Sequence, residues 1–100
     1  MGVRHVVSWK FNGETREERY AQAGRAVEII APLKESIDEV RSLDIRHNEF
    51  FEETNFDLTL IADFDDLAAL RSYLIHPEHQ AALRYMAEVI EQRVATDFTV

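Results

Sequence analysis

Residues 4–11, Arg-His-Val-Val-Ser-Trp-Lys-Phe, alternate with a period of two and predict a strand. His5, Val7, Trp9 and Phe11 fall on one face, and Arg4, Val6, Ser8 and Lys10 on the other. Asn12-Gly13 marks a turn. From Thr15 the repeat lengthens to three and four residues through Tyr20, Ala23, Val27 and Ile30, the spacing of one helix face. Thr15 suits the N-cap, and Glu18 three residues on completes a capping box. Pro32 ends or kinks this helix, with Ile37 in a trailing turn. A second strand is predicted from about Val40 to His47, with Leu43, Ile45 and His47 on one face. Its pattern can be continued through Phe50 and Phe51, and Glu52 to Asn55 read as loop. A third strand covers Asp57 to Phe64, its apolar face made of Leu58, Leu60, Ala62 and Phe64. Asp65 or Asp66 then caps a helix carrying Leu67, Leu70, Tyr73 and Leu74.

The run Tyr73-Leu-Ile-His-Pro-Glu-His79 interrupts that helix. Proline disfavours helical backbone at the residue before it, so the helix should break at His76. Proline also suits the first position of a new helix, so His76 and Pro77 form a structural corner. The next helix is predicted from Pro77 to about Gln92, with His79, Leu83, Met86 and Ile90 on one stripe. A last strand, Val94 to Val100, sets Val94, Thr96, Phe98 and Val100 against Ala95, Asp97 and Thr99.

The order β-α-β-β-α-β is that of a ferredoxin-like arrangement, a two-layer α+β sandwich in one domain over residues 1–100. Two helices cover one face of a four-stranded sheet. The other face is expected to carry Val6, Ser8, Thr59, Ile61, Ala95 and Thr99, with Lys10, Asp63, Asp97 and Arg46 nearby. That set is too apolar for solvent alone and too polar for a monomer's core. A second copy packed on it resolves the mismatch, so a homodimer through the open sheet face is expected.

Composition narrows the classes. Hydrophobic residues at 46% and charged residues at 30% describe a globular chain. No cysteine is present, which removes disulfides and thiolate chemistry. A net charge of −8 with scattered Lys and Arg argues against nucleic acid as partner. No apolar run approaches the ~20 residues of a membrane span, and the N-terminus lacks the pattern of a signal peptide, so a cytoplasmic location is expected.

The chain resembles the stress-responsive A/B barrel (Dabb) domain family over essentially its whole length. The resemblance rests on Arg4-His5-Val6-Val7 and Lys10-Phe11 in the first strand, and on Phe56-Asp57-Leu58 through Asp63-Phe64 in the third. It rests also on Tyr73-Leu74-Ile75-His76-Pro77-Glu78-His79 and on Asp97-Phe98. It implies two ferredoxin-like subunits whose sheets meet face to face, a dimeric α/β barrel. Many members have no assigned activity. One cofactor-free member closes a linear polyketide by intramolecular aldol condensation, and its catalytic tyrosine and histidine fall on Tyr73 and His79. Its strand-one pocket histidine falls on His5. A further pocket histidine is matched by Leu58, and Trp9 stands where the cyclase has a smaller aliphatic residue. Related dimeric barrels also include cofactor-free monooxygenases.

Two readings of the site follow. His79 shares its stripe with apolar residues and faces the sheet, where the ordinary role is a neutral imidazole bonded to a carbonyl or hydroxyl. Beside Tyr73 the same imidazole is a candidate general base, the phenol orienting it or bonding a substrate oxygen. A small apolar carbonyl ligand would then lie between helices and sheet against His5, Val7, Trp9, Leu83 and Met86. The alternative is a non-enzymatic dimer in which Trp9 fills that space. His76 is assigned to capping, and His47 to the surface. His76 and His79 lack the third ligand that a zinc site requires beyond His5, so no metal and no cofactor is expected.

Overall fold

The computed structural model describes residues 2–100. Its elements are β1 (Val3–Phe11), α1 (Arg16–Ile30), α2 (Leu33–Ser36), β2 (Ser42–His47), β3 (Leu58–Phe64), α3 (Leu67–Ile75), α4 (Pro77–Val89) and β4 (Ile90–Thr99). The four strands form one antiparallel sheet in the order β2-β3-β1-β4. The fold is ferredoxin-like α+β, with helices on one side and the sheet left open on the other.

The alternation of β1 becomes an alternation of burial: Val3, His5, Val7, Trp9 and Phe11 are all buried, and the residues between them are partly exposed. Strand β3 lies beside it with Leu58, Leu60, Ala62 and Phe64 buried on the same face, opposite Trp9, Val7, His5 and Val3. Leu43, Ile45 and His47 of β2 continue that face. Against it pack Ala23, Ala26 and Ile30 of α1, Leu70 and Tyr73 of α3, and Ala82 and Met86 of α4. Small residues let the helix backbones approach the sheet. The Tyr85 hydroxyl donates to the Gln22 carbonyl at 3.2 Å and ties α4 to α1.

The helix starts follow their caps. Thr15 Oγ1 accepts from the Glu18 amide at 3.1 Å, while the Glu18 carboxylate reaches one residue further back, to the Glu14 amide at 2.8 Å. Asp66, rather than Asp65, caps α3 by accepting from the Ala69 amide at 2.8 Å. Asp65 is taken by the Arg41 guanidinium at 2.8 and 3.0 Å. Pro32 precedes the short helix α2, and Ile37 behind it is fully buried.

Three expectations are corrected. First, α4 ends at Val89, and Ile90 belongs to β4. Asn12 holds the helix end by donating from its backbone to Val89 O at 2.8 Å and from its side chain to Glu88 O at 3.0 Å. The chain then enters the sheet at once, with Ile90 opposite Phe11. Second, β2 stops at His47. Phe50 and Phe51 lie in an exposed loop, with Phe51 at φ 55° and its carbonyl accepting the Thr54 and Asn55 amides. Third, the faces of β4 are the reverse of those expected. Directly opposed residues share a face, and Thr99, Asp97, Ala95 and Arg93 oppose Val3, His5, Val7 and Trp9. The open face therefore carries Val94, Thr96 and Phe98 beside Val6, Ser8 and Ile61.

Candidate functional site

The corner at Pro77 builds the site. In an unbroken helix the Tyr73 carbonyl would accept from residue 77, but proline has no N–H. The His76 amide, at 3.1 Å, takes its place. The Glu78 amide, which would have served Leu74 O, donates instead to His76 Nδ1 at 3.1 Å, so His76 is the N-cap of α4. Leu74 O is thus one of the orphan carbonyls of a helix end. It accepts from His79 Nδ1 at 3.0 Å and from Gln80 Nε2 at 2.8 Å. With Nδ1 donating, Nε2 of the neutral ring is left as an acceptor. Burial pushes the His79 pKa below its ordinary value; the hydrogen bond to the Leu74 carbonyl opposes this, and the nearby Arg93 charge adds to it.

Tyr73 is buried beside it. Its ring centroid is 4.5 Å from that of His79, 5.0 Å from Phe64 and 6.3 Å from His5, the last pair edge-on. Burial pushes the phenol pKa up to about 12, so it remains a proton donor throughout the neutral range. His5 is the one buried polar residue of the described core. Its Nδ1 is hydrogen-bonded to the Asp97 carboxylate, which fixes the ring and leaves its Nε2 free to accept.

These three side chains meet at a cavity of about 260 Å³ between sheet, α3 and α4. Val7, Trp9, Leu60, Ala82 and Met86 line its depth, and Leu83, Ile90 and Arg93 its outer part. Trp9 forms a wall and does not fill the space. Leu58 lies outside the lining, fully buried between Trp9 and His47 in the sheet. The arrangement offers one phenol donor and two ring-nitrogen acceptors at one end of an apolar chamber. That combination can hold a carbonyl or hydroxyl compound and can accept a proton from it.

A second hollow, of about 560 Å³, lies between α1, β2 and the following loop. It is larger, and its walls are mostly charged groups and amides, several of them already paired. Arg16 pairs with Glu52 at 3.2 Å and Arg46 with Asp44 at 2.8 Å. His47 faces this side, half-buried rather than on the surface, stacked on Tyr20 at 4.6 Å. Its Nδ1 is buried with no partner among the described residues. Among the described residues no group of three or more His, Cys, Asp and Glu is placed to hold a metal ion. No helix among them is long and apolar enough to cross a membrane.

The family model of the stress responsive A/B barrel domain matches residues 3–100. The chain belongs to this family. An uncharacterized protein of Streptomyces coelicolor is 33% identical over 87 residues, spanning 86% of this chain and 88% of that one. A solved dimeric protein of unknown function and ferredoxin-like fold from Bacteroides fragilis is 28% identical. It superposes with a TM-score of 0.88 over 99% of this chain and 96% of its own. A dimeric ferredoxin-like protein from Thermobifida fusca, also of unknown function, is 27% identical with a TM-score of 0.85 over 100% and 92%.

In this A/B barrel domain, Tyr73, His79 and His5 converge, with Val7, Trp9, Leu83 and Met86 around them, while His76 and Pro77 stay at the corner. Arg93 was not singled out by sequence, and Asp97 was expected near the open face rather than at the site. The register of β4 against β1 carries both to the cavity side, and only that pairing could have revealed the placement.

Proposed function

We propose that this A/B barrel domain is a homodimer that binds a small, mainly apolar carbonyl compound in the chamber between α3, α4 and the sheet. The observation carrying this reading is the convergence of His79, Tyr73 and His5 at one end of an otherwise apolar cavity. The phenol of Tyr73 donates to the ligand oxygen, and Nε2 of His79 accepts from a hydroxyl. About 260 Å³ holds about nine water-sized groups at roughly 30 Å³ each, room for a chain or ring of about nine or ten heavy atoms.

The homodimer reading is supported by the open face. Four of its polar groups pair within the subunit: Arg4 with Asp63 at 2.8 and 3.1 Å, and Ser8 with Thr59 at 2.8 Å. The apolar residues left exposed on it are Ile61, Val94 and Phe98. Satisfied polar groups around exposed apolar ones are the composition of an interface. Solved relatives with the same fold are described as dimeric.

A second, enzymatic reading is favoured by one hydrogen bond. Because His79 Nδ1 donates to Leu74 O, the unprotonated nitrogen is Nε2, and burial keeps it unprotonated near neutral pH. Such a base can remove the proton from the carbon beside the ligand carbonyl while Tyr73 bonds the developing enolate oxygen, the first half of an aldol closure.

Calorimetric titration with octanamide, a neutral carbonyl probe of fitting length, tests the binding reading. His79→Ala should weaken binding about fivefold, as loss of one hydrogen bond does. The melting temperature should change little, because Gln80 still satisfies Leu74 O. Unchanged affinity together with a loss of many degrees would make His79 a structural residue and refute the proposal.

A further inference from the structure

The lining of the cavity is uneven in charge. The chain carries 19 acidic and 11 basic residues, yet no carboxylate lines this chamber and one guanidinium, Arg93, does. Arg93 also differs from most arginines of the molecule. Arg4, Arg16, Arg19, Arg25, Arg41 and Arg46 each lie 2.8–3.9 Å from a carboxylate. Arg71, Arg84 and Arg93 have no such partner among the described residues, and of these three only Arg93 borders the cavity. The acid on its own strand face, Asp97, is occupied by His5.

Position gives this charge a role. Arg93 sits opposite Trp9, and Asp97 opposite His5, so the backbones of the two strand residues are four positions apart. That is about 13 Å of backbone, and the long arginine side chain carries its charge close enough to be felt at His79. Between them the walls are Val7, Leu60, Leu83 and Met86. The chamber thus has a cluster of two imidazoles and a phenol, apolar walls, and an unpaired cation at its exposed rim. We infer that the natural ligand is an amphipathic anion, a carboxylate or an equivalent oxyanion on a short apolar body, whose charged group pairs with Arg93. An arginine holds a carboxylate through two parallel N–H donors, a stronger and more directional contact than a neutral group receives. This inference rests on the reading of the cavity as a ligand site and specifies the ligand's class.

Octanoate and octanamide have the same length and shape and differ in charge. Titrated into wild-type protein, octanoate should bind about tenfold tighter than octanamide, the advantage expected of one charge-assisted contact. Arg93→Gln should bring the ratio of the two affinities, both measured in that variant, to within about twofold of one. The octanoate preference should also shrink as salt is raised. Octanamide binding with no preference for octanoate would overturn the anion inference and leave the cavity reading standing. Binding of neither probe would overturn both. A preference that survives Arg93→Gln would place the anion elsewhere and refute the assignment.

Discussion

Phe98→Asp tests the open face. Phe98 points away from the helices and remains 44% exposed in the single chain. Full burial of a phenylalanine contributes about 1.5–3 kcal/mol, so covering the exposed remainder contributes about 1 kcal/mol. A two-fold axis uses the residue twice, which makes about 2 kcal/mol per dimer. At 1.4 kcal/mol per decade the substitution should raise the dimer dissociation constant by about 30-fold, and the new carboxylates add desolvation to that. Leu67→Asp is the control. Leu67 is 48% exposed, but it lies in the first turn of α3 on the opposite side of the sheet, where an aspartate suits the helix dipole. Sedimentation equilibrium on the 11.6 kDa chain reads both constants. If Phe98→Asp stays within about threefold of wild type, or Leu67→Asp matches its effect, the open face is not the interface.

Two further outcomes follow from the site and its frame. The His79 imidazole should titrate below its ordinary pKa in an NMR pH series, because burial disfavours the cation. The unfolded chain then binds the extra proton first, so His79's contribution to stability is complete above about pH 6.5 and falls as pH drops toward the folded-state pKa. A His79 pKa above 6.5 would refute the buried neutral assignment. Asp66→Ala removes the α3 cap and should cost about 1 kcal/mol in urea unfolding, whereas Asp65→Ala breaks only an exposed pair with Arg41 and should cost clearly less. The opposite ranking would contradict the capping assignment.

The central strands were legible because burial gives them contrast. In β1 and β3 one face meets helices and the other does not, so apolar and polar residues alternate as the backbone does. Strand β4 has no such contrast within one chain. It is an edge strand exposed along nearly its whole length, and its more apolar row faces the open side. Reading that row as core reversed its faces and hid Asp97 and Arg93 from the site. Ile90 continued the 3–4 repeat of α4, and only Asn12, distant in sequence, shows why the helix ends before it. The corner at His76-Pro77 was readable because proline acts through its own covalent geometry. What could not be read was its consequence. The freed Leu74 carbonyl, which sets the tautomer of His79, depends on which amides are diverted at the break.

The most direct test of the ligand site is a methyl and imidazole NMR titration with octanamide. Shifts should concentrate on Leu60, Ala82, Leu83, Met86 and the His79 ring, the residues that bound the chamber. Shifts confined to Ala23, Ile45 and His47, which line the larger hollow beside α1, would contradict the assignment, as would a spectrum that does not change.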